Sequence, residues 1–206
     1  KENGFKKKED AERLIGELSA EPAGPATVIG IEKKKENKNA PLLYNLAELQ
    51  NDCSKYFKIS PDETLRIVQE LYEKKMTTYP RTDARVLSTA VAKEIHKNIG
   101  GLRNYALAAP FAKEVLEQGT YKNIAKTRYV NDKQITDHYA IIPTGQGLNN
   151  LAGLAPTAAK VYEVIVRRFL SIFYPPAVYQ KFSLTLQVKE ESFFASFKVL
   201  IQEGYL

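Results

Sequence analysis

Seven consecutive residues, Thr77-Thr78-Tyr79-Pro80-Arg81-Thr82-Asp83, gather a phenol, a guanidinium, three hydroxyls and a carboxylate. These are groups for phosphate chemistry. A free phenol titrates at about pH 10. Tyr79 therefore attacks at neutral pH only where a neighbour stabilises phenolate or compensates charge on the atom attacked. Arg81 suits the second task, because its planar fork of donors matches two phosphate oxygens and stays charged at any working pH. A plainer reading fits the same residues: a Tyr-Pro pair ends helices, and many tyrosines are half-buried packing residues.

Two blocks raise the first reading above the second. Lys75-Met76-Thr77-Thr78-Tyr79-Pro80-Arg81-Thr82-Asp83 resembles the active-site tyrosine segment of type IA DNA topoisomerases, and its Tyr-Pro form resembles the topoisomerase III branch. Sixty residues on, His138-Tyr139-Ala140-Ile141-Ile142-Pro143-Thr144 is similar to the block of that family whose histidine lies near the active site. Gln69-Glu70-Leu71-Tyr72-Glu73 resembles the family helix that leads into the nucleophile. The resemblance extends from about Ala23 to the C-terminus. One departure is that Tyr139 stands where related sequences often carry a second histidine.

The resemblance implies that Tyr79 cleaves single-stranded DNA through a 5′-phosphotyrosine link, keeping the phosphodiester energy so that the strand reseals without ATP. It implies catalytic roles for Tyr79, Arg81 and His138 and DNA contacts by Thr78, Thr82, Gln69 and Thr144, while Arg128 and Lys133 are expected DNA contacts from their place among interleaved cations and tyrosines. It also implies a Mg²⁺-binding Toprim domain. No Asp-x-Asp pattern after a strand is found for it, so Mg²⁺ is expected on a domain outside this chain, with no metal bound by these residues. The 206 residues alone are accordingly expected to be inactive. Bacterial-type, cytoplasmic, nucleoid-associated localisation follows from the same resemblance, and a helicase partner is left open. Two rivals remain: a non-catalytic single-strand-binding module, in which Tyr79 stacks on a base, and a tyrosine recombinase, which places its tyrosine after its Arg and His set.

Composition allows this chemistry without selecting it. The 30 Lys and Arg exceed the 24 Asp and Glu by six charges, a bias that suits a polyanion or serves solubility. Cys53 is the sole cysteine, which excludes an internal disulfide and a cysteine-based zinc site. No apolar run is long enough to span a bilayer, and no membrane role is expected. The start, Lys1-Glu2-Asn3-Gly4-Phe5, has no apolar segment after its charges and no initiator Met, so a piece of a longer protein is expected.

Several elements must position the motif. Ala11, Leu14, Ile15 and Leu18 predict a helix ending before Pro22, and Thr27–Glu32 a strand running into a solvated hairpin at 33–39, with a DNA-facing loop as the alternative. A helix opens at Leu46 and is expected to reach about Lys55. Ser60-Pro61-Asp62-Glu63 reads as a capped helix start, with Leu65, Val68, Leu71 and Tyr72 as the buried stripe. That helix must fade before Pro80, leaving Tyr79 on a loop. Ser88 caps a helix ending at Gly100-Gly101, and another runs from Pro110 to Gly119. Lys122, Lys126, Arg128 and Lys133 then interleave with Tyr121, Tyr129 and Tyr139, as a single-strand platform would or as a long loop with anchoring tyrosines. Gly145, Gly147 and Gly153 read as a flexible connection. Thr157 is the expected cap of a helix through Phe173, and two strands follow. The fold class is thus α+β: a helical domain at 45–156 inserted into a β-rich domain formed by 1–44 and 157–206.

Overall fold

The computed structural model describes residues 4–22 and 24–206. The fold is α+β. Two compact units divide the chain: Lys1–Lys38 with Val178–Glu203, and Asn39–Ala177 with Gly204–Leu206. These boundaries differ from the expected 45–156. Residues 157–177 fall in the helical unit, because the helix at 156–171 buries its apolar stripe against other helices, while 178–203 join the β-rich part.

The helical unit begins with α2 (Leu46–Phe57), two residues longer than expected, capped by Asn45, whose side chain accepts from the Glu48 N–H at 2.9 Å. In α3 (Pro61–Glu73) the Ser60 hydroxyl accepts from the Glu63 N–H at 3.1 Å, with proline in the first turn as predicted. The buried stripe is Thr64, Ile67, Val68 and Leu71, not Leu65 and Tyr72. Both sets have helical spacing. Thr64 can be buried because its hydroxyl donates to the Ser60 carbonyl, and Tyr72, outside the stripe that Thr64 begins, is exposed.

Ser88 caps α4 (Thr89–Gly101) as expected, and α5 (Ala109–Gln118) ends on Gly119 at φ 67°. The last helix, α6 (Pro156–Ser171), follows Ala155 and has no side-chain cap. Thr157 is inside it, because Pro156 already supplies the first helical residue. α3 packs on α2 and α6, and α4 on α5. Leu43, Leu49, Leu71, Ile95, Ile99, Tyr162, Ile165 and Phe169 are wholly excluded from solvent. Each such aliphatic or Phe side chain contributes about 1.5–3 kcal/mol by burial. Arg168 of α6 pairs with Asp52 of α2 at 2.9 Å, donates to the Leu42 carbonyl and lies 4.0 Å over the Tyr44 ring. Those contacts fix the 40–45 segment, whose Tyr44 carbonyl accepts from the Ile141 N–H at 2.8 Å.

The second unit is a three-stranded sheet in the order β1-β2-β3, with β1 (Thr27–Lys38), β2 (Ala177–Val188) and β3 (Glu191–Gln202). β2 and β3 are antiparallel, pairing Phe182 with Phe197 and Leu186 with Phe193 around a turn at Lys189 and Glu190. The basic run expected as a hairpin continues β1 to Lys38 instead. Alternation sends its charges to both faces, where Lys33 lies over the Phe182 ring and Glu36 pairs with Lys198. α1 (Lys8–Ser19) forms where predicted and buries no residue.

Candidate active site

Tyr79 lies in an extended segment six residues beyond α3, as its following proline requires. That segment is zipped to the His138 block across sixty residues of chain. Thr77 pairs with Pro143 as an antiparallel bridge, the Thr78 N–H donates to the Ile142 carbonyl at 3.0 Å, and the Thr144 N–H donates to the Met76 carbonyl at 3.0 Å. The two matching sequence blocks are thus the two sides of one ladder.

Three threonines predicted to meet DNA serve this ladder. The Thr78 hydroxyl donates to the Ala140 carbonyl at 2.9 Å and accepts from the Ile142 N–H. The Thr82 hydroxyl donates to the His138 carbonyl at 2.9 Å and accepts from the Ala84 N–H. The Thr144 hydroxyl donates to the Lys75 carbonyl at 2.5 Å and accepts from the Gln146 N–H. A hydroxyl has one proton, and each is committed to a carbonyl. The geometry therefore makes Thr78, Thr82 and Thr144 clamps on the backbone.

The glycines read as a flexible connection are tight contacts. A Cβ on Gly145 (φ 77°) would stand 2.6 Å from the Asn98 carbonyl oxygen, and one on Gly147 (φ 68°) 2.3 Å from the Lys74 oxygen. Only glycine lets these backbones approach. Gly153 has open space around it.

An open cleft results, lined by Tyr72, Glu73, Lys75, Thr77, Thr78, Tyr79, His138, Tyr139, Thr144 and Gln146. The Tyr79 ring is held between two others: His138 at 4.5 Å between centroids, and Tyr72 at 5.4 Å edge-on. Tyr79 is half-buried and His138 exposed. Burial pushes the Tyr139 phenol above its ordinary range, so it is a neutral neighbour in the cleft.

Of the predicted catalytic groups, Tyr79 and His138 share the cleft. Arg81 is exposed two residues along and does not line it. Gln69 donates to the Glu73 carboxylate at 3.2 Å on α3, and of the two only Glu73 reaches the cleft. Arg128 and Lys133 are exposed on the following segment and also stand outside it. The tyrosines among those cations are anchors: Tyr129 is buried with its hydroxyl donating to the Ala40 carbonyl at 2.8 Å, and Tyr121 packs against the core. Tyr72 and Lys75 are cleft residues that the sequence reading did not single out. The competing stripe Thr64-Ile67-Val68-Leu71 was the signal for Tyr72.

Comparison with known proteins gives one answer. A family model described as DNA topoisomerase matches residues 1–206, including the first twenty residues that carried no resemblance by motif. The chain is 35% identical over 206 residues to DNA topoisomerase 3 of Bacillus cereus, covering 98% of this chain and 27% of that protein. It is 35% identical over 194 residues to DNA topoisomerase 3 of Bacillus subtilis, covering 94% and 26%. The chain thus spans about a quarter of the length of these curated relatives. Full-length topoisomerase I from Thermotoga maritima has a similar fold, with a TM-score of 0.65 and 22% identity over 98% of this chain and 32% of that one.

Proposed function

This chain belongs to the DNA topoisomerase family, in its type IA branch, and on that premise we propose that Tyr79 is the nucleophile that opens one strand of DNA. The observation that carries the reading is the Tyr79 ring held against His138 at the cleft, on a segment locked to the His138 block by backbone and threonine hydrogen bonds.

In the proposed step the Tyr79 hydroxyl oxygen bonds to a backbone phosphorus, and the bond from phosphorus to the 3′ oxygen breaks. The phenol loses its proton and the departing oxygen gains one, leaving a 5′-phosphotyrosine and a 3′ hydroxyl. The reverse attack reseals the strand. Arg81 is exposed outside the cleft lining, and its proposed role is to meet the charge of the attacked phosphate where the strand extends past that lining; loss of such a donor lowers the rate on the order of 10²-fold or more. The His138 ring lies 4.5 Å from that of Tyr79 between centroids, and its proposed role is to hydrogen-bond the phosphate or its neighbour. Asp83, exposed beside Arg81, presents its carbonyl to the Asn45 side chain at 3.1 Å, in keeping with a turn-fixing role.

Among the described residues no three His, Cys, Asp or Glu side chains come together. They do not fit the Mg²⁺ that the family resemblance implies, and no step here runs through it. Bound magnesium and the Toprim domain belong, in this proposal, to sequence outside these 206 residues, and the chain alone is inactive. No helix among the described residues is long and apolar enough to cross a membrane. Single-stranded DNA is the proposed substrate.

The test joins the chain to an acidic Toprim domain and incubates it with end-labelled single-stranded DNA and a divalent metal before denaturation. Label is expected to stay covalently on the wild-type protein and to vanish with Tyr79→Phe. Non-covalent retention by both, with no capture under any divalent metal, would instead support the binding-module reading.

A further inference from the structure

α3 ends on a lysine where the backbone favours glycine. Lys75 has φ 61°, the left-handed region, while the Met76 N–H donates to the Leu71 carbonyl at 2.9 Å and the Lys75 N–H to the Tyr72 carbonyl at 2.8 Å. This is the helix-closing arrangement in which glycine carries no Cβ penalty and other residues do. Packing does not account for the side chain, since Lys75 is exposed.

Its placement does. The Lys75 carbonyl is held by the Thr144 hydroxyl at 2.5 Å, and the Gly147 backbone lies directly against residues 74 and 75. The backbone is thereby fixed at the cleft that Tyr79 and His138 line. Neighbouring Lys74 is occupied by Glu70 at 3.5 Å, whereas Lys75 has no ion pair or side-chain hydrogen bond among the described residues. The carboxylate of the cleft, Glu73, accepts from Gln69. The hydroxyl protons of Thr78 and Thr144 are committed to carbonyls. Arg81 lies outside the lining, which leaves Lys75 as the lysine or arginine of the described cleft.

We propose that Lys75 holds a backbone phosphate of the strand lying in the Tyr79 cleft, one beside the phosphate attacked. This inference rests on the single-strand reading of the site. A cation neutralising one phosphate of a single strand steepens the salt dependence of affinity by about 0.7 in log-log slope.

The experiment measures binding of fluorescein-labelled oligothymidylate to the 206-residue chain by anisotropy over a range of salt concentrations, with melting temperature recorded for each variant. Lys75→Gly is expected to flatten the slope by about 0.7 and weaken low-salt affinity several-fold, while its melting temperature stays level or rises as the left-handed strain is relieved. Lys75→Arg is expected to keep the slope. Wild-type binding with unchanged slope and affinity in Lys75→Gly would overturn the proposal and leave the Tyr79 reading standing. A parallel fall in melting temperature and affinity that Lys75→Arg does not restore would assign a structural role and also overturn it. A wild-type chain that fails to bind at low salt would remove the single-strand reading, and this inference with it.

Discussion

Phe169 in the helical unit is fully buried, while Phe194 in the sheet unit is 80% exposed. The contrast runs through both regions. α6 alone buries Val161, Tyr162, Ile165, Val166, Phe169 and Leu170, whereas every residue of β3 is exposed, among them Phe193, Phe197, Val199 and Ile201. A helix stripe meets other helices and closes a core; a three-stranded sheet with one apolar face cannot close on itself. The rigid scaffold needed to hold a nucleophile to within fractions of an ångström is therefore the helical unit, and the cleft is built there.

Three substitutions probe that difference. Phe169→Ala is expected to destabilise the helical unit by about 3–5 kcal/mol, read as a lowered denaturant midpoint of helical circular dichroism. A loss below about 1 kcal/mol would mean that this core is far looser than its burial indicates. Thr82→Val strands the Ala84 N–H and the His138 carbonyl beneath a side chain that is 8% exposed. It is expected to lose about 1–3 kcal/mol and to shift the His138 ring resonances in NMR spectra; unaltered resonances would show that the clamp does not position the imidazole. Phe194→Ser, at the other extreme, is expected to change stability by no more than about 0.5 kcal/mol in thermal melts. A loss as large as that at Phe169 would erase the contrast between the units.

The sequence was most legible where the signal was local. Ser60-Pro61-Asp62-Glu63 and Ser88 carry their caps in adjacent residues, and both helices begin as read. Tyr79 and His138 were found because each lies in a short block with a recognisable composition, and the cleft joins them. What escaped depended on distant partners. Nothing near Thr78, Thr82 or Thr144 tells that their hydroxyls end on carbonyls as far as 69 residues away. Gly145 and Gly147 look like a loose linker until Asn98 and Lys74 are placed against them. Arg81 was weighed by its distance in sequence from Tyr79, but in an extended chain two residues span about 7 Å, so proximity along the chain did not bring it into the cleft lining. The charge run at 33–39 was read from composition, which turns and exposed strands share.

The ladder between the Tyr79 and His138 segments has a consequence for how the molecule comes together. Its contacts close loops of about sixty residues, a chain-entropy cost of about 3.6 kcal/mol for the first contact and little for those that follow. Individual hydrogen bonds of this kind return about 0.5–1.5 kcal/mol each, so one or two cannot hold the closure and the full set can. The contacts are also non-local, the class that forms late along a folding route. The His138 side of the Tyr79 cleft therefore assembles as one coupled set of contacts, and a chain in which the ladder is open keeps Tyr72 near Tyr79 but has no His138 beside it.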